Sequence, residues 1–186
     1  MPTQRITKEM VVDAAFRLAR EKGMEAVLVK ELARELGCSV QPIYTYCKNM
    51  DQLRRAVEEK TADFVREYAA QRRDRADPFR STGLAYLQLA REEPNLYRIF
   101  FSRSQGGSWE ELYRREADPA RAEELAKALG LTPRAAQGLH LHMLLYTTGV
   151  GQVLSASQGE MDVDTAAEQM ESAYQAFLRQ AKEETE

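Results

Sequence analysis

The stretch VKELARELGCSVQPIYTYCKNMDQL, residues 29–53, decides the fold of this 186-residue chain. Its first part repeats apolar residues at helical spacing, at Val29, Leu32, Ala33 and Leu36. Gly37 follows and is typical of a helix end. Because a helix of about two turns is not stable by itself in water, the pattern predicts a short helix packed against neighbours.

The second part contains a proline where a second helix is expected. With Ser39 as N-cap, a helix from Val40 to about Cys47 places Pro42 at its third position, where no backbone N–H has an intrahelical partner. Ile43 and Cys47 then share one face and point to the core. Two short helices joined by a tight turn are the helix-turn-helix arrangement, whose second helix enters the major groove of DNA.

The outward residues of this second helix suit contact with DNA. Gln41 has an amide that pairs with adenine, and Val40 or Pro42 offers an apolar surface to a thymine methyl group. Hydroxyl and ammonium groups suit phosphate contacts, which position the protein without reading sequence. The residues predicted for the DNA-binding surface are Lys30, Ser39, Val40, Gln41, Pro42, Tyr44, Thr45, Tyr46 and Lys48.

Longer helices are predicted on both sides of this motif. Thr7 is a candidate N-cap for a first amphipathic helix, and Gly23 is its expected stop. Asn49 followed by Gln52 predicts the start of a long fourth helix. Further along, prolines at 78, 94, 119 and 133 each follow Asp, Glu or Thr, which predicts four more helix starts, and Ser108 with Glu111 forms a candidate capping box.

These features resemble the DNA-binding domain of TetR-type (tetracycline-repressor-like) transcriptional regulators over residues 6–64. The matching elements are Val29-x-x-Leu32-Ala33, Gly37, Ile43-Tyr44 and Lys48-Asn49. The resemblance implies base contacts from Val40, Gln41, Pro42 and Thr45, and backbone contacts from Lys30, Tyr44, Tyr46 and Lys48. Leu28, Cys47 and Met50 depart from the usual family pattern; the first stands where a Ser or Thr cap is common.

The expected fold is therefore all-α, with about nine helices in two domains. Residues 4–64 are predicted to form a helix-turn-helix DNA-binding domain, and residues 65–186 a helical effector-binding and dimerisation domain. Apolar stripes on two long helices, about 133–157 and 163–181, indicate either a four-helix bundle between two subunits, as the resemblance implies, or a monomeric core. Gly149 and Gly151 are expected where another helix approaches closely.

The resemblance also implies a homodimer on a pseudo-palindromic double-stranded DNA operator, and a small-molecule effector whose identity stays open. The resemblance implies an effector pocket in the helical body that follows the DNA-binding domain. An aromatic-rich section of this body includes Phe79, Tyr86, Phe101, Trp109 and Tyr113. Such residues are more typical of a core than of a pocket, so no ligand contact is assigned to any one of them. We expect a repressor. The alternative is a helical ligand-binding or protein-interaction module whose helix-turn-helix does not bind DNA.

The distribution of charge agrees with a basic amino-terminal DNA-binding domain followed by an acidic second domain. The net charge is −3, but residues 1–55 contain ten Lys and Arg against seven Asp and Glu. Two cysteines, Cys38 and Cys47, are too few for a disulfide framework. No apolar run is long enough to span a bilayer, and the amino-terminal stretch MPTQRITKEM lacks the apolar core of a signal peptide, so a cytoplasmic location is expected.

Catalysis, cofactors and bound metals are not expected. His140 and His142 are two residues apart on different helix faces, and neither cysteine has a histidine nearby in sequence. The TGVG stretch at 148–151 follows no strand, so it is not a phosphate-binding loop. No nucleophile with a base and no pair of carboxylates suggests an enzyme.

Overall fold

The computed structural model describes residues 6–47, 49–102, 118–157 and 159–185, and over these ranges the chain is helical without strands. One 3-10 turn, Met24–Ala26, accompanies the α-helices. The α-helices in these ranges are α1 Lys8–Lys22, α2 Val29–Glu35, α3 Gln41–Tyr46, α4 Met50–Gln71, α5 Pro78–Glu92, α6 Pro94–Ser102, α7 Pro119–Leu129, α8 Pro133–Ala156 and α9 Val163–Glu183. The predicted all-α class is confirmed.

Helix starts follow the predicted capping chemistry. The Thr7 hydroxyl accepts from the Met10 N–H at 3.2 Å, and the Asn49 side-chain oxygen accepts from the Gln52 N–H at 2.9 Å. Asp77, Asp118 and Thr132 likewise cap the helices that begin at the following proline, and α6 begins at Pro94. Each cap supplies an acceptor for a backbone donor that has no partner within the helix. The predicted capping box at Ser108 lies outside the described residues.

The chain divides into two compact units. The first comprises the residues up to Glu67 together with Asn95–Phe100, and the second comprises Tyr68–Pro94 and the described residues from Phe101 onward. Helix α4 therefore contains residues of both units, and so does α6. No sequence pattern indicated that part of α6 groups with the first unit.

The core of the first unit is built around α1. This helix buries Val11, Ala14, Ala15, Leu18 and Ala19. Alanines on the buried face let neighbouring helices approach closely. The side chains packed there come from α2, α3, α4 and α6, and include Leu32, Ile43, Leu53, Val57, Leu96 and Ile99.

In the second unit, α8 lies at the centre and packs against α5, α7 and α9. Gly83 of α5 is a site of close approach, because a Cβ there would lie 2.8 Å from the Met170 sulfur of α9. The same expectation for Gly149 is wrong within this chain: nothing lies within 4 Å of a Cβ built there. Gly149 is exposed, whereas Gly151 is buried.

Within the described ranges, every helix is too short or too polar to cross a membrane.

A polar clamp joins the ends of α4 and α5 in the second unit. The hydroxyl of Tyr68 donates to a carboxylate oxygen of Glu92 at 2.7 Å. The Arg72 guanidinium lies 3.5 Å from the centre of the Tyr68 ring and 3.5 Å from the same carboxylate oxygen. Burial and the Glu92 carboxylate together raise the pKa of Tyr68 well above its usual range. The phenol is therefore neutral and acts as a donor at physiological pH.

We expect Tyr68→Phe to lower the free energy of unfolding by about 1.5 kcal/mol at pH 8, because it removes one hydrogen bond to a charged group. Tyrosine in an unfolded chain ionises near pH 10. Since folding raises the pKa of Tyr68, its contribution is complete below about pH 10 and falls above it. Urea unfolding of the variant and the wild type at pH 8 and again above pH 10 measures this contribution. Tyr44→Phe is the control for a lost hydroxyl on an exposed ring. Equal stability of Tyr68→Phe and the wild type would contradict the role of the clamp.

Candidate nucleic-acid interface

Helix α3 begins one residue later than predicted. Its N-cap is Val40, whose backbone is already helical at φ −68° and ψ −20°, and no side-chain oxygen caps the helix. The prediction of Ser39 as N-cap is therefore wrong. Pro42 falls at the second position and has no N–H, so one of the donors that a cap would satisfy is absent. A proline in the first turn is compatible with the helix without a cap.

Two side chains attach α3 to the core of the first unit, as the spacing predicted. Ile43 is 1% exposed, and Cys47, at the carboxyl end of α3, is 6% exposed. Burial raises the pKa of the Cys47 thiol, and nearby Lys8 opposes this only in part. Cys47 is therefore a protonated thiol that serves as a small apolar anchor. Cys38 is half-buried beside the same core.

The opposite surface of α3 is open to solvent. Val40 is 40% exposed and Tyr44 is 53% exposed, while Gln41 and Thr45 are also exposed. Pro42 is half-buried. Tyr46 is half-buried and packs against the core, so it does not point wholly outward as the spacing suggested. Ser39 is exposed just before the helix, and Lys48 lies outside the described residues.

The hydroxyl of Thr45 is engaged within α3. It donates to the backbone carbonyl of Gln41, one turn earlier, at 3.0 Å. Such a bond restricts the side chain to a rotamer in which the hydroxyl faces its own backbone. The Gln41 side-chain amide remains exposed beside it.

Helix α2 lies on the core next to α3 and presents Lys30 to solvent. Its N-cap is Leu28, which is 51% exposed and supplies no capping oxygen. Arg17 of α1 links α1 to α2 at the surface by donating to the Glu35 carboxylate at 2.9 Å. Spacing did not reveal this ion pair, because its partners are 18 residues apart and each is typical of a solvated helix face.

The second unit has an open groove of about 520 Å³ between the start of α5 and the start of α9. Its lining residues include the carboxylates of Asp74, Asp77, Asp164, Glu168 and Glu171. Arg80 joins the two sides by pairing with Asp77 and Glu171. The excess of negative charge disfavours anionic ligands in this groove.

Comparison with protein families gives a match in the first unit. The family described as "Bacterial regulatory proteins, tetR family" matches residues 11–57. This range contains α2 and α3 completely, together with most of α1 and the start of α4. The match therefore covers the helix-turn-helix and the helices that carry it.

Solved structures share the fold over nearly the whole chain. A TetR-like transcriptional regulator from Rhodococcus sp. RHA1 is 16% identical, with a TM-score of 0.66, and the alignment covers 96% of this chain and 99% of that one. A TetR variant from Acinetobacter baumannii AYE in complex with minocycline is 17% identical, with a TM-score of 0.64 and coverage of 97% and 99%. At these identities the likeness concerns the fold.

Leu28→Thr is expected to stabilise the protein by about 1 kcal/mol, because a threonine oxygen there accepts a backbone N–H in the first turn of α2. The backbone at Leu28 has φ −119° and ψ 145°, the extended conformation typical of an N-cap. Urea unfolding of the purified variant measures the gain. Leu28→Ala removes the exposed apolar side chain without adding an acceptor and is the matched control. If the two variants are equally stable, the absent cap at position 28 does not limit the stability of the protein.

Proposed function

We propose that this chain, whose amino-terminal domain belongs to the TetR family of bacterial regulatory proteins, binds a pseudo-palindromic DNA operator as a homodimer. The observation that carries the proposal is the two-sided character of α3. Ile43 and Cys47 are buried, while Val40, Gln41 and Thr45 are exposed on the other side. A helix held from behind with a free outer surface is what entry into the major groove requires.

Base and backbone contacts divide between two sets of side chains. Val40, Gln41, Pro42 and Thr45 are proposed to face base edges, where an amide and apolar groups discriminate between base pairs. Lys30, Tyr44 and Tyr46 are proposed to contact phosphates, with Ser39 at the edge of the same surface. Lys48 is also proposed to contact a phosphate, and this assignment rests only on its position in the sequence.

The homodimer is proposed to form through α8 and α9. On α8, Leu145, Gly149 and Val153 recur every four residues, and all three are exposed. Leu145 is 42% exposed and Val153 is 60% exposed, which is high for apolar side chains in one row. A second copy would bury this row, and the open Gly149 would allow a helix of that copy to approach closely.

Regulation by a small molecule completes the proposal. We propose residues 4–64 as the DNA-binding domain and residues 65–186 as the effector-binding and dimerisation domain, in a repressor that an effector releases from DNA. The effector must bind the two states of the dimer with different affinities, since only differential affinity shifts such an equilibrium. Its DNA partner implies a cytoplasmic location.

Selection of bound duplexes from a random pool tests this function. A homodimeric operator-binding protein enriches an inverted repeat whose half-sites lie about one helical turn apart. A helical interaction module whose helix-turn-helix does not bind DNA enriches no duplex. The second result would remove DNA binding from the proposal while leaving the fold unchanged.

Gln41→Ala is expected to relax preference at one base pair of each half-site by about 1 to 3 kcal/mol, because an amide pairs with adenine through two hydrogen bonds. Binding titrations with the selected duplex and its single-base variants measure this preference. Lys30→Ala is the control, since loss of a phosphate contact weakens all duplexes alike. An unchanged preference in Gln41→Ala would show that this amide does not read bases.

Val153→Glu is expected to convert the dimer into monomers, because each of the two copies then places a carboxylate against the apolar row at the interface. Native mass spectrometry and sedimentation at micromolar concentration measure the state. Leu84→Glu makes the same kind of change at an exposed leucine of α5 and should leave the dimer intact. A Val153→Glu protein that remains dimeric would place the interface elsewhere.

A further inference from the structure

The exposed surface of α3 carries no charged side chain and includes two large apolar ones. No Lys, Arg, Asp or Glu occurs from Ser39 to Cys47. The large apolar side chains exposed here are Val40 and Tyr44, and Pro42, which lies between them in sequence, is half-buried. The most frequent specific contact in the major groove is an Arg or Lys bound to guanine, and α3 has no such side chain.

Thr45 adds to this apolar character in spite of its hydroxyl. The hydroxyl proton is already donated to the Gln41 carbonyl at 3.0 Å. Oγ1 and the methyl group occupy different staggered positions on Cβ, so the methyl group does not face that carbonyl. Thr45 is exposed, so its methyl group is available to a ligand in front of α3.

Gln41 supplies the one amide on this surface. An amide donates to and accepts from adenine in a bidentate pair, whereas guanine in the major groove offers two acceptors. Apolar groups recognise the 5-methyl group of thymine, which is the only methyl group that unmodified DNA presents in that groove. Both kinds of contact favour A·T pairs.

We propose that α3 recognises its half-site mainly through the 5-methyl groups of thymine, in a short A·T-rich core. Thr45 contributes its methyl group and Val40 its isopropyl group, while Gln41 pairs with an adenine. This inference rests on the proposed DNA-binding function and specifies which DNA that function selects. Burial of one methyl group changes affinity by about fourfold.

The experiment begins with the duplex selected by the full chain from a random pool. Each thymine of the half-site is then replaced by deoxyuridine, which keeps base pairing and removes only the methyl group. We expect an affinity loss of about fourfold at two or more half-site positions. Deoxyuridine outside both half-sites is the control and should leave affinity unchanged.

Two variants of Thr45 separate the methyl group from the hydroxyl. Thr45→Ser keeps the hydroxyl and should lose the discrimination between thymine and uracil at one position. Thr45→Val keeps the methyl group and should retain it. Both changes are conservative on an exposed helical position, and circular dichroism confirms that each variant is folded.

A half-site dominated by G·C pairs, or one in which deoxyuridine changes nothing, would overturn the inference while DNA binding itself stands. The reverse behaviour of the Thr45 variants, with discrimination kept in Thr45→Ser and lost in Thr45→Val, would also overturn it. Failure to enrich any duplex would instead refute the proposed function, and the inference with it.

Discussion

Burial of Ile43 and Cys47 against α1 is the contact on which the candidate interface depends. Helix α3 has six residues, no side-chain cap and a proline in its first turn. So short a helix is not stable by itself, because its few internal hydrogen bonds do not offset the cost of nucleation. Its conformation is maintained by the core around α1, and the side that faces this core leaves the other side open. The same contact thus determines both the stability of α3 and which side of α3 faces the solvent.

Much of the fold was predictable because local chemistry determines it. The caps at Thr7, Asn49 and Thr132 act through atoms three residues away, and apolar periodicity located the buried anchors of α3. The start of α3 was misplaced by one residue, since Ser39 has the right side chain for a cap but the backbone at Val40 is already helical. Tyr46 was assigned outward by spacing, although it packs partly on the core.

Contacts between residues distant in sequence were not predictable. The Tyr68 clamp on Glu92, the Arg17 pair with Glu35 and the grouping of residues 95–100 with the first unit have no local pattern. Gly149 shows a related difficulty, because a glycine in an apolar helix indicates close approach without indicating the partner. It is open within the chain, in a row with two exposed apolar side chains. Burial of that row by a second copy is the proposal that explains its composition.

In the proposed complex, two copies of α3 read bases in successive major grooves. The most direct measurement replaces each purine of a bound duplex by its 7-deaza analogue, which removes the N7 acceptor of the major groove and preserves base pairing. Affinity should fall at the adenine that pairs with Gln41 in each half-site, and the two sensitive positions should lie about 34–36 Å apart along the DNA axis. Equal affinity for all substituted duplexes, or losses scattered without this spacing, would contradict the claim.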